Sequence, residues 1–345
     1  EIMTTTEQEI LDPVDLCGED GRSLNPSAKG WSRRILHRTN LAGTWGRTKR
    51  WDYWAIQAEH IIVAITVADI DYVGLVTLDW IEPESHRSGG RSVTIPFGSG
   101  IELPDEPATG RLDFDSRNLG VSIVYSDDAT ELLAHWKEKH GSSGSLSATV
   151  ASPDGHESLN VVIPWSSTQF QFTSKHQARP AIGSMTAEGH TREIGGSAGE
   201  AWGILDIGRG RWPYQTTWNW GGGSGHSQSG QLIGLQVGGK WTDGTGFTEN
   251  GVFVDGRLVK IGEDLKWEYN WNDPLAPWVV RSVDGTLDVT LAPVHDRHAN
   301  LNLGVLKNEV HQVFGRWSGC VPDGVGGSLS ISNILGFAEE ARSRW

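Results

Sequence analysis

The stretch Ile61-Ile62-Val63-Ala64-Ile65-Thr66-Val67-Ala68-Asp69-Ile70-Asp71-Tyr72-Val73-Gly74-Leu75-Val76-Thr77-Leu78-Asp79-Trp80 decides the fold. Its side chains alternate with the two-residue period of a strand, Ile61, Val63, Ile65 and Val67 on one face and Ile62, Ala64, Thr66 and Ala68 on the other. After the polar turn at Asp69 and Asp71 the habit resumes from Tyr72 to Trp80, so the two runs predict a hairpin. The apolar run from Ile61 to Val67 is strand-sized, far short of the roughly 18 residues that a membrane-spanning helix needs.

Outward from this hairpin, shorter strands are expected at 91–95, 111–115, 121–126, 146–151, 159–164 and 169–173, separated by Gly, Pro, Ser and Asp clusters. Residues 129–139 alternate Leu133, His135 and Lys137 against Ala134, Trp136 and Glu138, which favours a strand over a short helix. Patterning stops at 174–183, around Pro180, and restarts beyond it. Strands are expected at 231–237 and 251–261, the latter turning at Val254-Asp255-Gly256-Arg257, where Asp-Gly suits a type I′ turn. Further strands fall at 265–269, 278–283, 287–291, 301–306 and 310–317, and 334–344 is predicted to be a short C-terminal helix starting near Ser332 or Asn333. Many short strands with frequent turns indicate barrels, not βαβ units. The expectation is all-β: an extended arm over 1–29, then two consecutive antiparallel barrels over 30–176 and 177–345.

A length of 345 residues suits two domains, each with its own core. The net charge of −14 disfavours nucleic acid and anionic membranes, which need a concentrated basic stripe. Cys17 and Cys320 form no CxxC and predict neither a disulfide framework nor a zinc knuckle. The N-terminus lacks a secretory pattern, so cytoplasmic residence is the expectation. Tryptophan is over-used, 17 against 8 Phe and 5 Tyr, so some indoles should line something other than core.

Five segments carry candidate chemistry. In Lys49-Arg50-Trp51-Asp52-Tyr53-Trp54, Asp52 and Trp54 share a strand face, which reads as an acid beside an aromatic wall or as a salt bridge under capping rings. Asp69 and Asp71 are expected to be turn residues. Between Asp206 and His226, Trp218 and Trp220 point the same way past Asn219, and the glycines of 221–225 are expected to form a flexible rim. That glycine run opens no helix and lacks the Lys-Ser/Thr pair, so nucleotide binding is rejected. Trp241 and Asp243, with Glu249 and Asn250, are expected on a loop at a barrel mouth. Finally, Glu309 and His311 share a face and can act as a proton relay, or His311 is simply hydrogen-bonded. His295, Asp296 and His298 lie near enough in sequence to join a metal set, but no spaced His or Cys motif supports one, and no metal or cofactor is expected.

These residues, Lys49 to Trp54, Trp218-Asn219-Trp220, the segment from Trp241 to Asn250 and that from Glu309 to Gly319, together resemble a bacterial family whose function is unassigned, over about 30–345. More distantly the chain resembles the tandem-lipocalin superfamily of carotenoid 1,2-hydratases, kievitone hydratases and fungal decalin-forming Diels–Alderases. Phe314 to Val321 is similar to that superfamily's closing strand, and Leu205-Asp206 stands where relatives often carry Asp-His, with Ile207 in place of the His. The resemblance implies two lipocalin-like (calycin) barrels and a pocket in or between them for an apolar substrate.

The function expected is a cofactor-independent lyase or isomerase, of hydratase, dehydratase or cyclase type, for a hydrophobic, terpenoid-like small molecule. A neutral carboxylic acid would protonate an alkene and Trp faces would stabilise the cation. Asp243 or Asp52 would be the acid and His311 with Glu309 the relay; Trp54, Asp206, Trp218, Asn219, Trp220, His226, Trp241, Glu249 and Asn250 would hold the substrate. The alternatives are a lipid or pigment carrier without proton transfer, and a pericyclase that only shapes its substrate.

Overall fold

The computed structural model describes residues 7–43, 45–303 and 306–344. The expected hairpin is there, as Ile62–Asp69 paired antiparallel to Val73–Glu82, with Asp71 at a positive φ of 68° in the turn. Thr48–Ala58 pairs with its other edge, and Ala201–Arg211 lies beside Thr48–Ala58. Phe170–Ala187, Ser143–Ala151, Ala129–Lys137, Leu119–Tyr125 and Arg111–Asp115 follow in order across this first sheet. The second sheet runs, in spatial order, Arg257–Ile261, Asn250–Val254, Leu232–Gly239, Gln215–His226, Ser328–Arg344, Leu306–Pro322, Asp288–Leu303, Trp278–Arg281 and Lys266–Glu268. Both sheets curl around a core of their own, so the molecule is two consecutive antiparallel, lipocalin-like half-barrels. Among the described residues no helix is long and apolar enough to cross a membrane.

Alternation is clear in Ala129–Lys137 and Ser143–Ala151, whereas Ile62–Asp69 buries residues on both faces, and the strand expected at 301–306 lies partly outside the described residues. Ala129–Lys137 buries every second residue, including Leu132, Ala134 and Trp136. Asp255 and Gly256 both take positive φ, 49° and 79°, as a type I′ turn requires.

Four expectations give way. The C-terminal helix is instead the strand Ser328–Arg344, locked between Gln215–His226 and Leu306–Pro322, with Trp218 opposite Ala341 and Phe314 opposite Phe337. Ala338-Glu339-Glu340-Ala341-Arg342 is a run of helix formers, but a slot between two strands satisfies its backbone on both edges and overrides propensity. Segment 174–183, where patterning stops, is not a linker but lies within Phe170–Ala187. Its irregularity is a register shift between His176 and Arg179, and the change of sheet comes after Arg211. The glycines of 221–225 are not a flexible rim: they sit within Gln215–His226, where a Cβ on Gly222 would fall 2.7 Å from Phe337 and one on Gly223 2.8 Å from Trp317.

Residues 7–29 are packed, not extended. Val14–Asp15 pairs with His37–Arg38, and Leu16, Cys17, Leu24 and Ala28 bury themselves against Val162, Phe170 and Phe172. The two sheets meet through Ala55, Ile62, Ala64, Ile81 and Ile204 of the first and Trp220, Phe314 and Phe337 of the second.

The N-terminal segment is also tied to the second sheet by charge. Glu7 is buried 2.5 Å from the Nζ of Lys260, itself almost inaccessible, and accepts from the backbone N–H of Thr248. Removing one member of such a pair strands the other charge in low dielectric, so Glu7→Ala should cost about 3 kcal/mol in urea denaturation, and adding Lys260→Met should recover part of it. An unchanged midpoint in Glu7→Ala would show that the Glu7–Lys260 pair contributes nothing to stability.

Candidate functional site

The site follows from strand parity. Along Thr48–Ala58, Asp52 and Trp54 point into the first barrel while Trp51 and Tyr53 point towards the second sheet. Opposite Tyr53 lies Asp206, and opposite Asp206 lies Lys175, so these three share that outer face. From the second sheet Trp218, Trp220 and Glu339 approach it, with Trp220 directly paired to Glu339.

Lys175 is at the centre, buried. Its ammonium lies 2.8 Å from Asp206 and 3.2 Å from Glu249, and 4.3 Å from the centroid of the Trp220 ring. Burial alone would drive its proton off, but the two carboxylates outweigh this and raise its pKa. Each carboxylate also accepts from an indole: Asp206 from Trp51 at 3.1 Å, Glu249 from Trp241 at 2.8 Å, and Glu339 from Trp218 at 3.0 Å. Gln312 donates to the other oxygen of Glu339 at 2.9 Å. Thr173 completes Asp206 at 3.2 Å.

Five of the tryptophans form one cluster around Trp212. Trp241 stacks on it at 5.3 Å and 14°, Trp218 meets it edge-on at 5.6 Å, and Trp51 and Trp165 flank it at 5.8 and 5.1 Å. Trp212 and Trp241 are buried, whereas Trp51, Trp165 and Trp218, with Tyr53 nearby, are only partly so.

Three carboxylates share the field of Lys175, with Arg297 contributing at Glu339, and burial disfavours every uncompensated charge. Burial pushes Glu249 up, against the pull of Lys175. Glu339 is pushed up to about 7, by burial first and by Asp206, while the Trp218 N–H, Lys175 and Arg297 hold it back. Glu339 is thus placed to gain and lose a proton near neutral pH.

The other expected residues lie elsewhere. Asp52 is buried in the first barrel, one oxygen 2.7 Å from the Arg209 guanidinium and the other accepting from Tyr125 at 2.6 Å; Trp54 donates to that same hydroxyl at 3.1 Å. Asp243 is exposed in a turn, not on a strand face with Trp241, and accepts the Lys240 N–H at 2.8 Å. It borders a cavity of about 620 Å³ at the mouth of the second barrel, where Lys240, Asn219 and Glu340 converge on the Tyr269 hydroxyl. Asn250 braces the backbone at Gly238 and Glu263, and His226 pairs with Glu200 at 3.0 Å on the surface.

Glu309 and His311 do share a face, but each has a different partner: His298 lies 3.0 Å from Glu309, and Asp296 lies 2.8 Å from His311. The His298 and His311 rings stack at 4.2 Å. Ligand atoms of His298, Glu309 and His311 fall within 4.8 Å of one another, so these are the described residues that could be drawn onto a metal ion. His295 stacks on His86 instead.

Lys175, Glu339, Gln312, Trp51, Trp165 and Trp212 join the site without having been expected there. Trp51 and Trp212 were within reach of the tryptophan excess. Glu339 was hidden by the helical reading of its segment.

The chain matches, over residues 7–345, the family described as Domain of unknown function (DUF2804), and it belongs to that family. No curated protein matches it. Among solved structures it is similar to kievitone hydratase from Nectria haematococca, at 12% identity and a TM-score of 0.46, covering 87% of this chain and 89% of that one. It is also similar to CghA, at 8% identity and a TM-score of 0.43, covering 89% and 90%.

Two outcomes follow from Glu339. An acid whose folded pKa lies above its unfolded value of about 4.5 leaves stability untouched below that value and subtracts from it as pH rises towards 7. Glu339→Gln should therefore match the wild type in urea denaturation near pH 4.5 and exceed it at pH 8, by on the order of 2 kcal/mol. Trp218→Phe removes the strongest restraint on that carboxyl, so its titration midpoint, followed by ¹³C NMR, should move upwards; a downward move would mean that the indole does not stabilise the anion.

Proposed function

With no activity assigned to the family, we propose from the geometry of this site that the chain is a cofactor-independent lyase or isomerase for a hydrophobic small molecule, with Glu339 as proton donor. The observation that carries the reading is a buried carboxyl pushed up to about 7, hydrogen-bonded by Trp218 and Gln312 beside a tryptophan cluster. A general acid works best when its pKa lies near the operating pH.

The chemistry needs few parts. The Glu339 carboxyl transfers its proton to one carbon of an alkene, a C–H bond forms from the π pair, and the other carbon becomes a cation. Indole faces attract such a cation. The Trp218 N–H, already aimed at Glu339, stabilises the carboxylate left behind. Loss of a proton from a neighbouring carbon back to Glu339 gives an isomer, and attack by water, whose extra proton returns to the Glu339 carboxylate, gives a hydrate. Asp206 and Glu249 hold the Lys175 ammonium beside the cluster. In this reading Trp218, Trp220, Trp241, Asp206 and Glu249 border the substrate, and Glu339 takes the acid role for which the sequence offered Asp243 or Asp52.

The test begins with the ligand. Protein purified from its own host is analysed by native mass spectrometry, the bound small molecule is extracted and identified, and rebinding is followed by tryptophan quenching. Conversion of that molecule on incubation, lost by 10²-fold or more in Glu339→Gln while quenching affinity is retained, is the expected result. Full turnover in Glu339→Gln removes Glu339 from the mechanism, and a ligand returned unchanged by the wild type makes the chain a carrier.

A further inference from the structure

The strand Phe170–Ala187 breaks register between His176 and Arg179, and Ala178 is held at a φ of 55°, a left-handed conformation that residues with a Cβ seldom adopt. A bulge of this kind re-aims the side chain that follows it. That side chain is Arg179, 6% exposed, and among the described residues no carboxylate comes within ion-pair distance of it. Its Nε and Nη2 lie 3.1 and 2.8 Å from Nδ1 of His176. Nε2 of His176 lies 2.9 Å from the Ser174 hydroxyl, which donates to Asn160 Oδ1 at 2.6 Å. The Ser174 proton is thereby committed, so His176 carries its own proton on Nε2 and accepts from Arg179 at Nδ1. A neutral imidazole orients the guanidinium but leaves its charge uncompensated.

Arg179 and His176 line a cavity of about 750 Å³, together with Arg33, Arg34, His156 and Ser158. Arg33 is committed to Glu9 and Glu157, but the exposed Arg34 makes no ion pair among the described residues. The acids on the wall are peripheral: Glu106 is held by Arg38 at 3.2 Å, and Asp127 and Asp154 are exposed. Ile35 and Pro107 add apolar wall. In a chain of net charge −14, this concentration of arginine runs against the rest of the molecule. The positive potential is felt by the histidines: burial and then Arg179 press His156 down to about 4, and His176 is driven down by the same two causes.

We infer that this cavity is an oxyanion site, in which Arg179 takes the carboxylate or phosphate group of a small ligand. A buried guanidinium without an anion is costly, and its planar fork matches an oxyanion in shape as well as charge. Nη1, the nitrogen without a protein partner among the described residues, is the donor left for the ligand. The cavity is separate from the tryptophan site, because Lys175 and His176, as neighbours on one strand, point to opposite faces.

Histidine Cε1–H resonances of the full chain, assigned by single substitution and recorded during separate titrations with inorganic phosphate and with octanoate, test this. Saturable shifts at His156 and His176, without shifts at surface histidines such as His135, are expected from at least one of the two anions. The tighter of the two identifies the group as phosphate or carboxylate. Arg179→Gln should weaken that binding by about ten-fold or more. Should this buried variant fail to fold, Arg34→Ser, at an exposed position, should still weaken it several-fold. No saturable shift from either anion at physiological ionic strength, or unchanged affinity in a folded Arg179→Gln or in Arg34→Ser, overturns the inference.

Discussion

The ammonium of Lys175 among buried carboxylates is the constraint around which the interface between the sheets is arranged. A cation so deeply buried is tolerable only if anions meet it, and anions so deeply buried are tolerable only if further donors saturate them. Asp206 and Glu249 meet the ammonium, and the N–H groups of Trp51 and Trp241 each donate to one oxygen of those two carboxylates. This explains the preference for tryptophan over phenylalanine better than core packing does. Phenylalanine fills the same space but brings no donor.

The same logic places Glu339 at the margin of the network. Burial and then the nearby Asp206 charge raise Glu339, and Lys175, whose two nearer partners are Asp206 and Glu249, offsets them only in part, so Glu339 retains its proton to higher pH. The network thus produces one group of intermediate acidity from ordinary carboxylates through position alone. The mouth of the second barrel uses a different device, a tyrosine hydroxyl shared by Lys240, Asn219 and Glu340, and the first barrel holds a closed Asp52–Arg209–Tyr125 unit.

The β character, the hairpin at Ile61 to Trp80 and the Asp255-Gly256 turn were legible because each is a local pattern. Trp218, Trp220, Trp241 and Glu249 were legible as candidates because aromatic and acidic density is unusual between clear strands, and the fold brings them to one cluster. Trp51 was harder, since parity tells which residues share a face but not which face looks inward; Asp52 and Trp54 do share one, and it is the inner one. Glu339 was concealed by a run of helix formers whose strand conformation is imposed by neighbours more than a hundred residues away on one side. Lys175 and Arg179 lie where patterning fades, and a bulge leaves no signature that separates it from a linker.

The strand Phe170–Ala187 carries Lys175 towards the tryptophans and His176 towards the arginine-lined cavity. Because a strand has a period of two, inserting or deleting a single residue upstream of Lys175 would exchange these two side chains between the faces and ruin both environments together. The number of residues in this segment therefore matters more to both environments than the identity of most residues within it.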